Sequence, residues 1–438
     1  MTTSSQRTVL RGQVLSFSGD PFVTDPMAAH RHIADGVVFL KDGLVEAVGS
    51  AAELKSQIDA TDMVHDYGDS LIMAGFVDTH VHYSQLGIIG SYGTQLIDWL
   101  NNYTFPEEGK FSDPEYARLA AAAFVDQCLS NGISTSAVFC TVHEQSVDAL
   151  FEATDAINMR MMAGKVLMDR HAPDFLLDSP QTAYDQSQAL IGRWHEKNRC
   201  LYAVTPRFAP TSTPEQLDVV AALMAETPSV YMQTHADENR DEIAWVAELF
   251  PDCTDYIGVY EKHGLLGPRS VLGHSIHLTD REWAVVSETG TAVAHCPSSN
   301  LFLGSGYFDY ARALQETPSV RFGLGTDVGG GSSFSMFQTM KAAYEVAQFH
   351  GNNLNAFQAF YMATLGGAAA LGLGDRIGNL EAGYEADLVV VDLQSTPLIR
   401  HRMQTIESLH DALFAQLTLA DDRAVAATYI NGTRHTKT

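Results

Sequence analysis

The middle of the chain alternates between short apolar, β-branched segments and amphipathic segments of helical length. The sequence predicts eight strands, at residues 70–79, 133–140, 159–167, 200–205, 230–234, 270–273, 291–294 and 320–325. It predicts helices between several of them, at residues 114–129, 147–157, 182–197, 214–225 and 241–249. Eight strands mostly separated by helices, over about 300 residues, are typical of a (β/α)8 barrel.

A doubly wound open sheet would show the same alternation. Such a sheet usually carries a glycine-rich phosphate-binding loop after its first strand. No such loop follows Thr79, the end of the first predicted strand of this region. We therefore predict an α/β fold whose main unit is a (β/α)8 TIM barrel.

The two ends of the chain are predicted to be β structure without helices. Residues 36–49 contain two short apolar segments around Lys41-Asp42-Gly43, which indicates a hairpin. Residues 386–392 and 426–432 are each typical of a strand followed by a turn. Because chain termini often lie close together, we predict that both ends combine into one small β-sandwich.

The predicted division into domains follows from these two patterns. Residues 1–70 and 373–438 are assigned to the β-sandwich, and residues 71–372 to the barrel. The length of 438 residues suits this division, since a barrel of about 250 residues leaves room for a second, smaller domain.

Composition excludes two classes of partner. The chain has 27 Lys and Arg against 53 Asp and Glu, a formal net charge of −26, and contains no basic run. Nucleic acid and anionic membrane surfaces both require clustered cations, so neither is expected as a partner.

The five cysteines are scattered, and no signal-peptide or membrane-spanning apolar run is visible. These features predict a cytoplasmic protein with reduced thiols.

The first strand of the barrel ends in a pair of histidines, His80 and His82. Residues i and i+2 of a strand face the same side, about 6.6 Å apart along the strand, so both imidazoles could bind one zinc ion. A single H-x-H motif is weak support, because His30 and His32 form a second one. An isolated histidine is more often a surface or hydrogen-bonded core residue.

Residues of metal-ligating type also end three other predicted strands. The fifth strand ends at His235, the sixth at His274 and the eighth at Asp327. The carboxyl ends of barrel strands meet at one mouth, so these side chains are expected to converge there. Three neutral imidazoles and one carboxylate suit Zn²⁺, with Fe²⁺ or Mn²⁺ as alternatives.

Glu238 follows His235 by three residues, at the predicted start of the next helix. Beside a metal site it is placed to act as general base and acid towards a metal-bound water. The structural alternative is a glutamate that is stabilised by the helix dipole.

Three residues are candidates for binding a planar substrate. Arg207 and Phe208 follow the fourth strand, and they offer a hydrogen-bonding fork and a ring for stacking. Gln85 could contact a base edge through its amide. Without a binding role, Arg207 would be a surface residue packed over the buried ring of Phe208, and Gln85 would be an ordinary loop residue. The run Gly329–Gly331 either lets the backbone approach a ligand or turns the chain.

Four motifs in this order resemble the metal-dependent amidohydrolase superfamily, and the terminal β segments resemble the sandwich that flanks its barrel. The motifs are residues 74–82, residues 235–238, His274 and residues 325–327. Within the superfamily, residues 98–106, the loop at Gln85 and residues 207–210 resemble guanine deaminases.

The resemblance implies one zinc ion per chain, bound by His80, His82, His235 and Asp327. No lysine ends the fourth strand, where two-metal members of the superfamily carry one, and this departure implies a single metal. Two other departures, Ala74 in place of proline and His171 in place of asparagine, lie outside the implied ligand set.

The resemblance also implies roles in catalysis. Glu238 would shuttle protons, while His274 and Asp327 would help to activate the attacking water. The purine would be bound by Gln85, Arg207 and Phe208 together with His235 and Glu238.

The implied reaction is hydrolytic deamination of guanine at C2, giving xanthine and ammonia, in a homodimeric enzyme. The alternative is a deaminase or chlorohydrolase of the same superfamily that acts on another aminopurine, a pterin or a triazine. A non-catalytic scaffold is the alternative from a different class, and it is disfavoured because the full ligand set and Glu238 are present. No role is assigned to His143, His171 or His295.

Overall fold

The computed structural model describes residues 6–93 and 96–436. The described residues form sixteen strands: β1 (Thr8–Phe17), β2 (His30–Lys41), β3 (Leu44–Ser50), β4 (Met63–Ala74), β5 (Phe76–His82), β6 (Ile133–Phe139), β7 (Arg160–Gly164), β8 (Val166–Leu167), β9 (Cys200–Pro206), β10 (Tyr231–Ala236), β11 (Ser270–His274), β12 (Ala292–His295), β13 (Arg321–Leu324), β14 (Leu388–Val391), β15 (Val425–Ile430) and β16 (Thr433–His435).

The described residues also form seventeen α-helices: α1 (Ala51–Leu54), α2 (Leu96–Trp99), α3 (Phe105–Gly109), α4 (Pro114–Ser130), α5 (Glu144–Asp155), α6 (Pro180–Trp194), α7 (Pro214–Glu226), α8 (Arg240–Leu249), α9 (Tyr256–Lys262), α10 (Asp280–Thr289), α11 (Pro297–Phe302), α12 (Tyr310–Gln315), α13 (Met336–Phe349), α14 (Ala356–Met362), α15 (Leu365–Ala370), α16 (Pro397–Met403) and α17 (Leu409–Leu419).

Several helices begin where the sequence supplies a capping side chain directly before a proline. Asp113, Ser179 and Thr213 cap α4, α6 and α7, and each accepts a hydrogen bond from a backbone amide of the first turn. Proline at the first helical position has no amide hydrogen to satisfy, so this pair of residues fixes the helix start. The predicted starts of α4 and α7 therefore agree with the structure.

Eight parallel strands form the barrel, in the order β5-β6-β7-β9-β10-β11-β12-β13. The barrel closes between β5 and the segment that follows β13. The amide of Asp327 donates to the carbonyl of His80 at 2.9 Å, and the amide of His82 donates to the carbonyl of Val328 at 3.0 Å. The predicted (β/α)8 barrel is confirmed.

The first predicted strand of the barrel, residues 70–79, is wrong in its boundaries. The structure divides this segment into β4, which belongs to another sheet, and β5, which opens the barrel. Gly75 separates them, and a Cβ atom at this position would lie 2.3 Å from Oγ of Ser134. The apolar run is continuous across the break, so hydrophobic pattern alone did not reveal it.

Strands from both ends of the chain form a single seven-stranded sheet, in the order β16-β15-β14-β4-β1-β2-β3. This confirms a separate β unit built from the two termini. We propose a division into domains close to the predicted one, with the first boundary moved to residue 74. The move keeps β4 whole, because its last residue, Ala74, pairs with Leu388 of β14.

The prediction that the terminal regions lack helices is wrong. Helices α16 and α17 lie between β14 and β15. Leu413 and Leu417, one turn apart on α17, are completely buried, and the ring of Phe414 lies 4.8 Å from that of Tyr344 on α13. The helix thus covers the outside of the barrel with its apolar face.

One end of the barrel interior is filled by apolar side chains. Val77, Ala137, Met162, Ala203 and Val271 come from five different strands and form one buried cluster. Val77 and Val271 are the second residues of β5 and β11, whereas His82 and His274 end the same two strands, so the polar side chains lie at the opposite mouth. No helix among the described residues has the length and apolar character needed to cross a membrane.

Candidate metal and active site

Five buried polar side chains meet at the carboxyl ends of the barrel strands. They are His80 and His82 of β5, His235 of β10, His274 of β11 and Asp327, which follows β13. Close packing is possible because of neighbouring glycines. A Cβ atom at Gly273 would lie 2.8 Å from the ring of His80.

The separations between these side chains suit ligands of one ion. Nε2 of His82 lies 3.1 Å from Nε2 of His235, and Oδ1 of Asp327 lies 3.3 Å from Nε2 of His80 and 3.5 Å from Nε2 of His82. Tetrahedral zinc with ligands at about 2.0–2.1 Å requires ligand atoms about 3.3 Å apart. The four side chains therefore fit a single metal ion.

Hydrogen bonds at Nδ1 fix the orientation of two of the imidazoles. His235 donates to the backbone carbonyl of Arg207 at 2.6 Å, and His274 to Oδ1 of Asn300 at 2.8 Å. A proton held on Nδ1 leaves the lone pair of Nε2 facing the cluster. Among the described residues, Nε2 of His80 and of His274 have no hydrogen-bond partner, although both are buried. Such atoms are suited to a ligand.

Burial favours the neutral form of His80, His82 and His235, and the neighbouring rings favour the charged form of Asp327. Burial lowers the pKa of His80, and it lowers the pKa values of His82 and His235 well below their ordinary range. Burial works in the opposite direction on Asp327, but the nearby rings, that of His80 above all, lower its pKa. Metal binding requires these protonation states.

The structure also brings a cysteine to the cluster, which sequence reasoning missed. Ring nitrogens of His80, His235 and His274 lie within 4.8 Å of one another, and ligand atoms of His80, Cys296 and Asp327 form a second such group. Burial raises the pKa of the Cys296 thiol well above its ordinary value, so it stays protonated and is a poor ligand. Cys296 directly follows His295, the last residue of β12, and this position at a strand end could have identified it from the sequence.

Glu238 lies in the loop between β10 and α8, and it is 4 % exposed. The prediction that it starts the helix is wrong, because Asn239 is the N-cap and α8 begins at Arg240. Oε2 of Glu238 lies 3.4 Å from Nε2 of His274, and Oε1 accepts a hydrogen bond from Ser305. Its side chain is thus held at the metal cluster by contacts with other loops.

The Glu238 and His274 pair is arranged to hold a proton. Burial raises the pKa of Glu238. Burial opposes charge on His274, but the carboxylates of Glu238 and Asp327 outweigh it and raise the pKa of that ring. Both shifts favour retention of a proton by this pair, which suits general acid and base catalysis.

A cavity of about 410 Å³, including its mouth, opens beside the cluster. Its lining includes all five residues predicted to contact the substrate: Gln85, Arg207, Phe208, His235 and Glu238. Sequence reasoning did not identify the apolar side chains that complete the wall: Leu96, Trp99, Leu100 and Leu303. An apolar cavity with a few converging polar groups is the usual form of a small-molecule site.

The run Gly329–Gly331 both lines the cavity with backbone and turns the chain. Gly330 lines the cavity, and a Cβ atom there would lie 2.5 Å from Oγ of Ser299. At Gly331 a Cβ atom would lie 1.9 Å from the carbonyl oxygen of Thr326, so the chain also turns tightly. Larger residues would fill the cavity or displace the segment that carries Asp327.

The three histidines without an assigned role are not among the described side chains that line the cavity. Nδ1 of His171 lies 2.8 Å from the carbonyl oxygen of Pro210, and the ring of His295 lies 5.3 Å from that of Phe308. His143 is half-buried at the start of α5. Their contacts are consistent with packing.

The sequence profile of the amidohydrolase family matches residues 71–434. The chain belongs to the amidohydrolase family. It is 51% identical to guanine deaminase of Escherichia coli (strain K12) over 405 residues, which cover 92% of each chain. The resemblance predicted from the motifs is confirmed.

Solved structures give the same result. The structure of E. coli guanine deaminase matches with a TM-score of 0.96 and 49% identity, covering 98% of this chain and 100% of that one. The structure of guanine deaminase from C. acetobutylicum with bound guanine matches with a TM-score of 0.87 and 28% identity, again covering 98% and 100%.

A buried carboxyl next to this amidohydrolase site predicts a pH-dependent stability. Burial raises the pKa of Glu242 from 4.5 to about 7. The folded state therefore keeps a proton that the unfolded chain releases, and the stability this proton contributes below pH 4.5 is lost as the pH rises to about 7. We expect Glu242→Gln, which is always neutral, to gain about 1–3 kcal/mol relative to the wild type between pH 5 and pH 8.

Urea unfolding of both proteins at the two pH values, at equal zinc concentration, measures this difference. The glutamine can still accept a hydrogen bond from Asn239, as Glu242 does at 3.1 Å. A constant difference between variant and wild type would show that Glu242 titrates normally.

Proposed function

We propose that this amidohydrolase converts guanine and water to xanthine and ammonia, with one zinc ion per chain. The observation that carries the proposal is one cavity lined both by the buried cluster of His82, His235 and Asp327 and by Gln85, Arg207 and Phe208. The 51% identity to E. coli guanine deaminase supports the choice of substrate.

Zinc is supported by the chemistry of the donors. Neutral imidazoles of His80, His82 and His235 and the carboxylate of Asp327 form a nitrogen and oxygen set at tetrahedral separations. When bound, zinc lowers the pKa of a coordinated water towards about 7 and so supplies a nucleophile at neutral pH. A single ion is proposed because Pro206 and Arg207, and no lysine, end the fourth barrel strand.

Glu238 is proposed to move two protons. It takes the first from the attacking water and delivers it to ring nitrogen N3 as the C2–O bond forms. It then takes the second from the hydroxyl group now bonded to C2 and passes it to the exocyclic amine, so the C2 carbonyl forms as the C2–N bond breaks and ammonia leaves. His274, held by Asn300 and 3.4 Å from Glu238, would stabilise the negative charge that develops in between.

The remaining cavity residues are proposed to bind and orient the purine. Arg207 can donate to acceptor atoms on the ring edge, and Phe208 can stack on the ring face. The apolar wall, which includes Trp99 and Leu303, would exclude bulk water from the reacting carbon.

Ammonia release from a panel of amine-bearing rings tests the substrate assignment. The panel contains guanine, adenine, a 2-aminopterin and an aminotriazine, and the protein is purified and loaded with zinc. We expect guanine to give the highest kcat/KM. A higher value for the pterin or the triazine would replace guanine as substrate, and no ammonia from any compound would support the non-catalytic scaffold.

Two further proposals concern the state of the protein in the cell. We propose a cytoplasmic location, supported by five cysteines that are all unpaired. We also propose a homodimer, supported by large apolar side chains that stay exposed near α11 and α13, with Phe349 86 % exposed. Light scattering at increasing protein concentration tests the oligomeric state.

A further inference from the structure

One buried carboxylate contacts both of the polar side chains that are proposed to bind the purine. Glu108 of α3 is completely buried. Its two oxygens accept hydrogen bonds from Nη1 of Arg207 at 3.0 and 2.7 Å, and Oε1 also accepts from Nε2 of Gln85 at 3.2 Å. Neither sequence reasoning nor the resemblance assigned a role to Glu108.

The contact with Glu108 determines which way the amide of Gln85 points. A carboxylate accepts hydrogen bonds and donates none, so the NH2 group of Gln85 must face it. The carbonyl oxygen Oε1 of Gln85 is then turned away from Glu108, beside Gly329, where a Cβ atom would lie 2.6 Å from it. Since Gln85 lines the cavity, it offers the substrate an acceptor.

The same carboxylate fixes Arg207 as a donor. It holds Nη1 and neutralises a guanidinium that is 3 % exposed, while the ring of Phe105 lies 5.5 Å from Cζ. Among the described residues, Nε and Nη2 of Arg207 have no hydrogen-bond partner and remain for a ligand. The guanidinium can only donate. The wall therefore presents donors from one side chain and an acceptor from the other.

We propose that Glu108 is a positioning residue that selects 6-oxopurines over 6-aminopurines. This inference rests on the proposed function. Guanine offers a carbonyl oxygen at C6 and an N–H at N1, which complement the donors of Arg207 and the acceptor of Gln85. In 2,6-diaminopurine both positions are reversed, because C6 carries an amine and N1 is an acceptor. The reacting C2–NH2 group is the same in both compounds.

A comparison of guanine with 2,6-diaminopurine therefore measures how the binding groups select a substrate, while the reacting group stays the same. When a donor faces another donor in a buried site, or an acceptor faces another acceptor, neither forms a hydrogen bond and both have lost their hydration. We expect the wild type to prefer guanine to 2,6-diaminopurine by well over 10-fold in kcat/KM. This measurement needs no variant, and equal kcat/KM values would overturn the inference even if guanine is turned over rapidly.

Glu108→Gln tests the role of the carboxylate directly. The introduced amide oxygen can take the place of Oε2, which makes the shorter contact with Arg207 at 2.7 Å. Its NH2 group then replaces Oε1 opposite Gln85 and favours the flipped amide, which presents a donor to the cavity. We expect the preference for guanine to fall at least about 10-fold, mainly through a higher KM for guanine, with a smaller change in kcat.

Two further variants complete the test. Glu107→Gln is the matched control, because Glu107 is also buried in α3 but pairs with Lys110 at 2.5 Å and with Tyr116. It should keep the wild-type preference. The double variant Gln85→Glu, Glu108→Gln exchanges the two groups and again presents an acceptor, so the preference for guanine should rise above that of Glu108→Gln alone.

The outcomes distinguish this inference from the proposed function. If the wild type releases ammonia from neither compound, the proposed function and this inference both fail. If the wild type deaminates guanine but Glu108→Gln loses activity equally on both compounds, Glu108 only supports the fold and the inference is overturned. Circular dichroism and thermal unfolding of each variant accompany the kinetics. If Glu108→Gln alone does not fold, the folded double variant decides, and a double variant without preference for guanine would overturn the inference.

Discussion

Replacing Glu238 by glutamine should lower kcat on guanine by about 10²- to 10⁴-fold while leaving the zinc content unchanged. Glutamine has the size of glutamate and can keep a hydrogen bond with Ser305, which lies 3.3 Å from Oε1. It can neither take a proton from water nor deliver one to the ring. Glu238 lies outside the proposed ligand set, so the metal should stay bound.

Glu242→Gln is the control for this prediction. Glu242 is an equally buried carboxyl four residues along the chain, where it bonds with the amide of Asn239 and with Tyr256. Its substitution should leave kcat within a few-fold of the wild type. Steady-state kinetics and mass spectrometry of the bound metal give both readouts. A Glu238→Gln protein with near wild-type kcat would show that another group carries the protons.

Replacing His82 by alanine should remove both the zinc and the activity. His82 is 3 % exposed, and its Nε2 lies 3.1 Å from His235 and 3.5 Å from Asp327. Loss of groups that merely orient metal ligands costs roughly 10- to 100-fold in affinity or activity, so loss of a ligand should cost more. Added zinc should restore chelator-treated wild type but not His82→Ala.

The chain offers a matched control for the ligand variant in its second H-x-H motif. His32 lies exposed on β2, where its ring bonds with Gln13 at 3.1 Å. His32→Ala should keep the wild-type metal content and activity. If His82→Ala retained a full equivalent of zinc, the proposed ligand set would be wrong, and a set containing His274 or Cys296 would replace it.

The positions of the predicted metal ligands and of His274 could be inferred from the sequence because barrel topology makes strand ends converge. His80, His82, His235, His274 and Asp327 each end or follow a strand that the apolar pattern identifies. Parallel strands in a closed barrel bring those ends to one mouth. A local pattern was therefore sufficient to group residues that are up to 247 positions apart, as His80 and Asp327 are.

The groups that orient these side chains could not be inferred in the same way. Glu108 is 23 residues from Gln85 and 99 residues from Arg207, in a short helix that belongs to no barrel strand. Asn300 and Ser305 likewise reach His274 and Glu238 from the segment that follows β12. Contacts made by loops depend on the path of each loop, which hydrophobic periodicity does not predict.

The most direct test of the proposed reaction is the balance of its products. Zinc-loaded protein is incubated with guanine, and guanine, xanthine and ammonia are measured at successive times. The account predicts one xanthine and one ammonia for each guanine consumed, and no reaction after the zinc has been removed. Consumption of guanine without an equal amount of xanthine, or no consumption at all by the zinc-loaded protein, would contradict it.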